Sequence, residues 1–269
     1  MSKSTEETIA LNEKQAAYYD TKKRNWVTGL WSKFRTYSLG KIRKDLGIQE
    51  QIYETHKIWM GDLSQKKVLD LGCYKGNALS LYLAKNSKSY LGIDLSKVGI
   101  SHLENRLKDI PTANAQAIDF LAPEFTHRDF DLVYAYGVVH HFENLNLLLD
   151  TLNKVLVPDG EIITYDPLKT SFPVKVVRAL YRPFQSDAEW EWPFDKKTVH
   201  KLSNIFNVKE RRAILGRSKY VMFLNVLPIK YANKLKLGKK WHKKDWDTSA
   251  INDRDLFKSM HLTMLLQKK

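Results

Sequence analysis

The chain has 269 residues, 43% of them hydrophobic and 28% charged, with a formal net charge of +14. This length accommodates one large α/β domain with additions or two small ones, and the composition excludes a disordered chain. The only cysteine, Cys73, rules out a disulfide within the chain and fits a reducing compartment.

The opening stretch MSKSTEETIALNEK has no apolar core of signal-peptide length. The longest strongly apolar run, YVMFLNVLPI, falls far short of the ~20 residues that a membrane span needs. The expectation is a cytoplasmic protein. Residues 1–64 read as a helical extension, in which Trp26, Leu30, Trp31, Phe34 and Tyr37 recur at helical spacing as a face packed on the rest of the chain.

Residues 65–269 read as one domain. KVLDL is a strand, Asn77–Lys85 a helix and SYLGID a strand, and Ser96 caps a helix running to about Asp109. ANAQAID is a short strand, FDLVYAYGV a buried one, and Asn144–Leu156 an amphipathic helix stopped by VPDG. GEIITYDP is the next strand. This alternation predicts an α/β fold with a doubly wound, mostly parallel sheet. Four prolines then break the pattern in a cap segment, 167–194, around a short helix near Val174–Tyr181. Asp195 caps a further helix, and NVKERRAIL and HLTMLLQ complete seven strands. Between these last two lies a basic insert, 217–245, with nine Lys or Arg and no acidic residue from Arg217 to Lys244.

The segment KKVLDLGCYKGNALS carries the most information. A strand runs into Asp70, and Gly72 and Gly76 open a helix, as a backbone approaching a ligand closely requires. Asp94 ends the next strand, where a carboxylate can accept from two ribose hydroxyls. The order D-x-G-x-x-x-G differs from the dinucleotide fingerprint G-x-G-x-x-G. An acid ahead of the glycines suits a cationic ligand such as a sulfonium better than a pyrophosphate, which favours S-adenosylmethionine over NAD.

VLDLGCYKG resembles the D-L-G-C-G-x-G motif of class I S-adenosylmethionine-dependent methyltransferases, and the later segments YDPLKTSFPVKVVRALYRPFQSDAEWEWPF and INDRDLFKSMHLTMLLQKK resemble bacterial methyltransferases of sugar, lipid and secondary-metabolite pathways, the small-molecule kind. LGIDLS, AQAIDF, FDLVYAYGVVHHFEN and LNKVLVPDGEIITYDP resemble the motifs that follow, in order, over about residues 66–168. The resemblance implies a Rossmann-like methyltransferase fold, with S-adenosylhomocysteine as product. It places Asp70 near the methionine end of the cofactor and the backbone of Gly72, Cys73 and Gly76 against it. Asp94 would hold the ribose, Leu95 pack on adenine, Asp119 meet the adenine amino group with Phe120 beside it, and the main chain at Tyr136 receive the methionine amine. Tyr74 replaces the middle glycine, which suits a negative φ there, and its ring covers the cofactor's flank or touches substrate. Asp159 replaces a glycine in a turn. Cys73 reads as a packed small residue rather than a nucleophile.

His140 and His141 follow the fourth strand, where a histidine serves as a base or shapes the site. Tyr136 and Asp166 also sit at strand ends, and Asp166 can orient a hydroxyl or amine of substrate. In the cap, Phe172, Tyr181, Phe184, Trp190 and Trp192 can wall a pocket, with Arg178 and Arg182 gripping an anion; a plain hydrophobic cap on the sheet is the alternative. The motif AYGVVH disfavours methylation of nucleic-acid bases. No metal site is expected. The expected function is methyl transfer to an O or N atom of a small-molecule, glycan or lipid-linked acceptor. An RNA or protein acceptor held by the basic insert is the alternative. The insert reads either as a contact for an anionic partner, a membrane face or a phosphate-bearing acceptor, or as a buried strand followed by a lysine-rich surface helix.

Overall fold

The computed structural model describes residues 5–21, 40–185 and 188–269, together with the isolated positions Trp26, Gly29, Lys33 and Tyr37. Helix α1 (Thr5–Thr21) is followed by α2 (Lys41–Asp45) and α3 (Ile48–Met60). The alternating part runs β1 (Lys67–Leu71), α4 (Ala78–Asn86), β2 (Ser89–Asp94), α5 (Lys97–Leu107), β3 (Ala113–Ala117), β4 (Phe130–Tyr136), α6 (Leu145–Val155) and β5 (Leu156–Pro167). The cap segment contains α7 (Phe172–Tyr181), and α8 (Lys196–Ile205), β6 (Phe206–Ile214), α9 (Tyr231–Ser249), α10 (Asp253–Leu256) and β7 (His261–Lys268) complete the chain.

The seven strands form one sheet in the order β3-β2-β1-β4-β5-β7-β6. All neighbours from β3 to β5 are parallel, while β7 is antiparallel to both β5 and β6. The order reverses between β1 and β4, the place where open α/β sheets leave a crevice beyond their carboxyl ends. Central strands are buried on both faces, as parallel strands between helices must be; Val68, Leu69, Leu132, Val133, Ile162 and Ile163 are fully enclosed.

Local chemistry starts the helices where the sequence indicates. Asn77 caps α4 by accepting from the N–H groups of Leu79 (2.7 Å) and Ser80 (3.0 Å), and the Ser80 hydroxyl returns a bond to the Asn77 N–H. Ser96, Asn144 and Asp195 cap α5, α6 and α8 in the same way. Helix α3 is pinned to the sheet by a buried polar chain: His56 bonds the Tyr134 hydroxyl (3.2 Å) and the Thr263 hydroxyl (2.7 Å), and Thr263 donates to the Thr164 carbonyl. Burial holds His56 down at a pKa of about 3, so it stays neutral there.

Three expectations need correction. Leu30, Trp31 and Phe34 of the aromatic stripe lie outside the described residues, but Trp26 and Tyr37 are each 79% exposed and do not pack on the domain. The apolar run in the basic insert is a 3₁₀ segment (Ser218–Val226) rather than a strand. It is tied to α9 through Asp245, which accepts from the N–H groups of Arg217 (2.7 Å) and Ser218 (2.8 Å) and from the Ser218 hydroxyl (2.7 Å). Lys234 falls on the buried side of α9, whereas Lys236, Lys239, Lys240, Lys243 and Lys244 are exposed. The insert is thus structural on one face and basic on the other. Finally, Tyr74 has φ +48°, in the left-handed region, where a negative value was expected; Asp159 is also left-handed at +59°. Asp tolerates that conformation through its short polar side chain, whereas Tyr74 carries a cost that its surroundings must offset.

Candidate active site

A cavity of about 230 Å³ opens at the carboxyl ends of β1, β2 and β4, lined by Gly72, Tyr74, Asp94, Leu95, Asp119, Phe120, Gly137 and His141 among others. It occupies the crevice that the strand order predicts. The loop after β1 is drawn against β2 by two N–H bonds from Gly72 (2.8 Å) and Cys73 (3.1 Å) to the Ile93 carbonyl. Gly72 has φ +68°, and a Cβ there would collide with the Val138 side chain. Gly137 has φ +74°, and a Cβ there would meet nothing, because it borders open cavity.

The offset for Tyr74 is visible. Its N–H donates to Asp94 Oδ2 (2.9 Å), and its ring lies over Gly99, where a Cβ would stand 2.5 Å from the ring. Asp94 Oδ1 accepts from the Ser96 N–H (2.8 Å). Burial raises the Asp94 pKa, with these N–H bonds opposing the shift. Asp119 accepts from the Leu121 N–H (2.9 Å) and from the Asn12 amide (2.6 Å).

Helix α1 supplies what sequence reasoning missed. Asn12, Gln15 and Tyr19, at spacings of three and four, form one face of α1 and line the cavity. Asp20 accepts from the Ser96 hydroxyl (2.5 Å) and the Val98 N–H (3.3 Å), fastening α1 to the N-terminus of α5, where negative charge is favourable. A polar helical face reads as solvated in a sequence, and the spacing of these three residues is the one signal that could have marked them.

His141 is held from both sides. Its Nδ1 lies 2.7 Å from the Trp190 carbonyl, which can only accept, so Nδ1 carries the hydrogen. The lone pair of the neutral ring is then on Nε2, 3.3 Å from the Tyr19 hydroxyl, and the residue lines the cavity. His140 points elsewhere. It is buried, with Nδ1 2.8 Å and its N–H 3.1 Å from Asp166 Oδ1. Asp166 is fully buried, and burial pushes its pKa up to about 7. It orients the His140 turn and is not among the residues that line the cavity.

The remaining expected residues fall around the cavity rather than on it. Asp70 is 2% exposed, accepts from the Tyr90 hydroxyl (2.8 Å), and is pushed by burial to a pKa of about 6. Cys73 is buried, and that burial pushes its thiol well up, as befits a packing residue rather than a nucleophile. Gly76 starts α4 beneath Leu103, out of the cavity. Tyr136 stacks on Tyr165 (4.6 Å) and bonds Gln49, so Gly137 lines the cavity in its place. Trp190 is buried against Tyr18 (5.1 Å) and acts through its carbonyl. Phe172 and Phe184 are exposed and line neither this cavity nor the second one, at which Arg178 lies 3.8 Å from Glu191. The side chain of Tyr181 lies outside the described residues.

Comparison with known proteins agrees with this geometry. Residues 69–162 match the family model described as "Methyltransferase domain". An uncharacterized protein of Haemophilus influenzae is 30% identical over 107 residues, which are 38% of this chain and 42% of that protein. A tRNA U34 carboxymethyltransferase of Idiomarina loihiensis is 26% identical over 39% of this chain and 33% of its own. A carboxy-S-adenosyl-L-methionine synthase of Helicobacter pylori is 25% identical over 59% of this chain and 68% of its own. The chain thus spans less than half the length of the first two. The N-methyltransferase NodS of Bradyrhizobium japonicum, solved with S-adenosyl-L-homocysteine, superposes with a TM-score of 0.53 at 15% identity, covering 82% of this chain and 86% of that one. At that identity the likeness is one of fold. The motif order, the strand order and the family match agree with one another: residues 69–162 of this chain are similar to the methyltransferase-domain family.

Proposed function

We propose that the protein binds S-adenosylmethionine in the β1–β4 crevice and transfers its methyl group to an oxygen or nitrogen of a small-molecule, glycan or lipid-linked acceptor. The observation that carries this reading is one cavity bordered by two carboxylates, a glycine cradle and His141, whose Nδ1 faces the Trp190 carbonyl. The donor set fits the cofactor. Asp94 offers acceptors to ribose hydroxyls, Asp119 to an exocyclic amine, and Leu95 and Phe120 offer apolar surface to a purine. Asp70, buried behind the loop with a pKa near 6, supports a nearby cation electrostatically.

When bound, the cofactor supplies an electrophilic methyl group on a sulfonium. The protein's part is alignment, exclusion of water and proton management. Helix α1 closes one side of the cavity through Asn12, Gln15 and Tyr19. His141 Nε2 accepts the proton that an attacking hydroxyl or amine releases. The Trp190 carbonyl keeps Nδ1 protonated and the ring oriented for that task.

A second reading is an RNA acceptor. It is favoured by the likeness to a tRNA-modifying enzyme and by the exposed lysines of α9. Incubating the protein and a cell extract with methyl-tritiated S-adenosylmethionine distinguishes the two. Label in the small-molecule, glycan or lipid fraction supports the first reading. Label in RNA that is lost in the quadruple variant Lys236→Gln, Lys239→Gln, Lys240→Gln, Lys243→Gln supports the second. Cofactor bound without transfer to any fraction sinks both.

A further inference from the structure

The cap segment holds a feature that methyl transfer does not use. Helix α7 carries Phe172, Val176, Val177 and Leu180 within an arc of about 140°, and Phe184 continues the row one turn on. An amphipathic helix normally turns such an arc inward. Here it faces outward: Phe172 is 77% exposed, Leu180 73% and Phe184 51%, and among the described side chains of the helix only Val174 is buried.

The opposite side of α7 is cationic. Lys175, Arg178 and Arg182 border a cavity of about 530 Å³, completed by Lys169 and by Lys196 and Lys197 at the start of α8. Two acids on its wall are each near a cation, Asp195 with Lys169 (3.7 Å) and Glu191 with Arg178 (3.8 Å). Among the described residues, Lys175, Arg182, Lys196 and Lys197 have no carboxylate partner. No acidic residue occurs from Lys169 to Gln185.

We propose that α7 is a docking helix for an anionic lipid surface, with Phe172, Val176, Leu180 and Phe184 entering the headgroup–acyl boundary and the surrounding lysines and arginines meeting acidic headgroups. An amphipathic helix with an apolar arc and basic flanks lies in that boundary. Charge complementarity selects this occupant. A second copy docked through the same arc would bring two uncompensated cationic clusters together, and a free anion in the cavity would leave the apolar row uncovered. An acidic bilayer satisfies both, and acidic headgroups attract each nearby cation. This surface replaces the exposed face of α9 as the expected membrane contact, because the exposed apolar residues there, Leu227, Ile229 and Tyr231, stand at or before the start of α9, and no large apolar side chain is exposed among the lysines of its later turns. The inference does not rest on the chemistry proposed for the crevice.

The test is flotation of the full chain with phosphatidylcholine vesicles and with vesicles that also contain phosphatidylglycerol. The protein should float with the acidic vesicles and not with the neutral ones, and rising salt should weaken the association as exposed charges are screened. Phe172→Ser with Leu180→Ser should lower the partition coefficient about tenfold or more, since both side chains leave the hydrocarbon. Lys175→Gln with Arg182→Gln should abolish the preference for acidic vesicles. All four positions are exposed, so thermal melts should match the wild type. Failure of the wild type to float, or equal flotation of the serine variant, overturns the proposal. So does a dimer in velocity sedimentation without lipid that the serine variant dissociates, since the arc would then belong to a second copy.

Discussion

Two residues carry the proposed working of the crevice, and each can be removed singly. Asp94 accepts from the N–H groups of Tyr74 and Ser96 and still lines the cavity. If it also accepts from the ribose, Asp94→Ala should weaken S-adenosylhomocysteine binding by about 1–3 kcal/mol, because the bonds lost are charge-assisted. Isothermal titration measures this, and equal affinities would remove Asp94 from the cofactor site. His141 should separate binding from turnover. His141→Ala should cut kcat by roughly 10²–10⁴ with cofactor affinity held, as loss of a positioned base does. An unchanged kcat at saturating acceptor would leave His141 as a spacer between Tyr19 and Trp190.

Among the elements, α1 is the one whose role is least visible from the chain. None of its described side chains belongs to the hydrophobic clusters that surround the sheet, yet Asn12, Gln15 and Tyr19 line the cavity and Asp20 fastens the helix to α5. Its described attachments are hydrogen bonds at the site and ring contacts of Tyr18 with Trp190 and of Tyr19 with His141, so it adds more to the site than to the core. A chain lacking residues 1–21 should keep nearly the melting temperature of the full chain, while S-adenosylhomocysteine binds more weakly, by about tenfold for each direct hydrogen bond lost. Differential scanning calorimetry together with titration checks both halves. A large fall in melting temperature would make α1 part of the core, and undiminished affinity would detach it from the site. The element contrast is with α9, whose buried face of Lys234, Gly238, His242, Asp245 and Ser249 makes it a packing helix despite its charge.

For the whole molecule, the buried carboxylate Asp166 makes stability depend on pH. Its folded pKa is about 7, raised by burial, against 3.8 for the exposed side chain. Between these values the folded state binds more protons than the unfolded state, so this group makes stability fall as pH rises from about 4 to about 7. Asp166→Asn keeps an acceptor for the His140 N–H and removes the buried charge. The variant should gain melting temperature over wild type progressively as pH rises through that window and hold the gain above pH 7. A gain that is constant with pH would show that Asp166 does not titrate there.

Much of the fold was legible because it is written in local chemistry. Strands of apolar residues alternate with capped helices, and Asn77, Ser96, Asn144 and Asp195 announce helix starts by side chains that can reach their own backbone. Gly72, Asp94 and Asp119 announced the crevice because a ligand approaching a strand end needs glycine and carboxylate at those positions. Three matters lay beyond the chain's own order. The left-handed backbone at Tyr74 is set by a hydrogen bond to Asp94 and by a ring resting on Gly99, both distant in sequence. The opposite fates of His140 and His141 are set by which of them meets Asp166 at the end of β5 and which meets the Trp190 carbonyl of the cap. The direction in which α7 turns its apolar arc is set by packing, since the same amphipathic pattern suits a helix facing the core or one facing a membrane. Sequence by itself determined the sheet, its helices and the place of the crevice, which depend on periodicity and capping within a few residues. Tertiary structure decided which side chains enter the crevice and which faces stay exposed, because those depend on contacts between segments tens of residues apart.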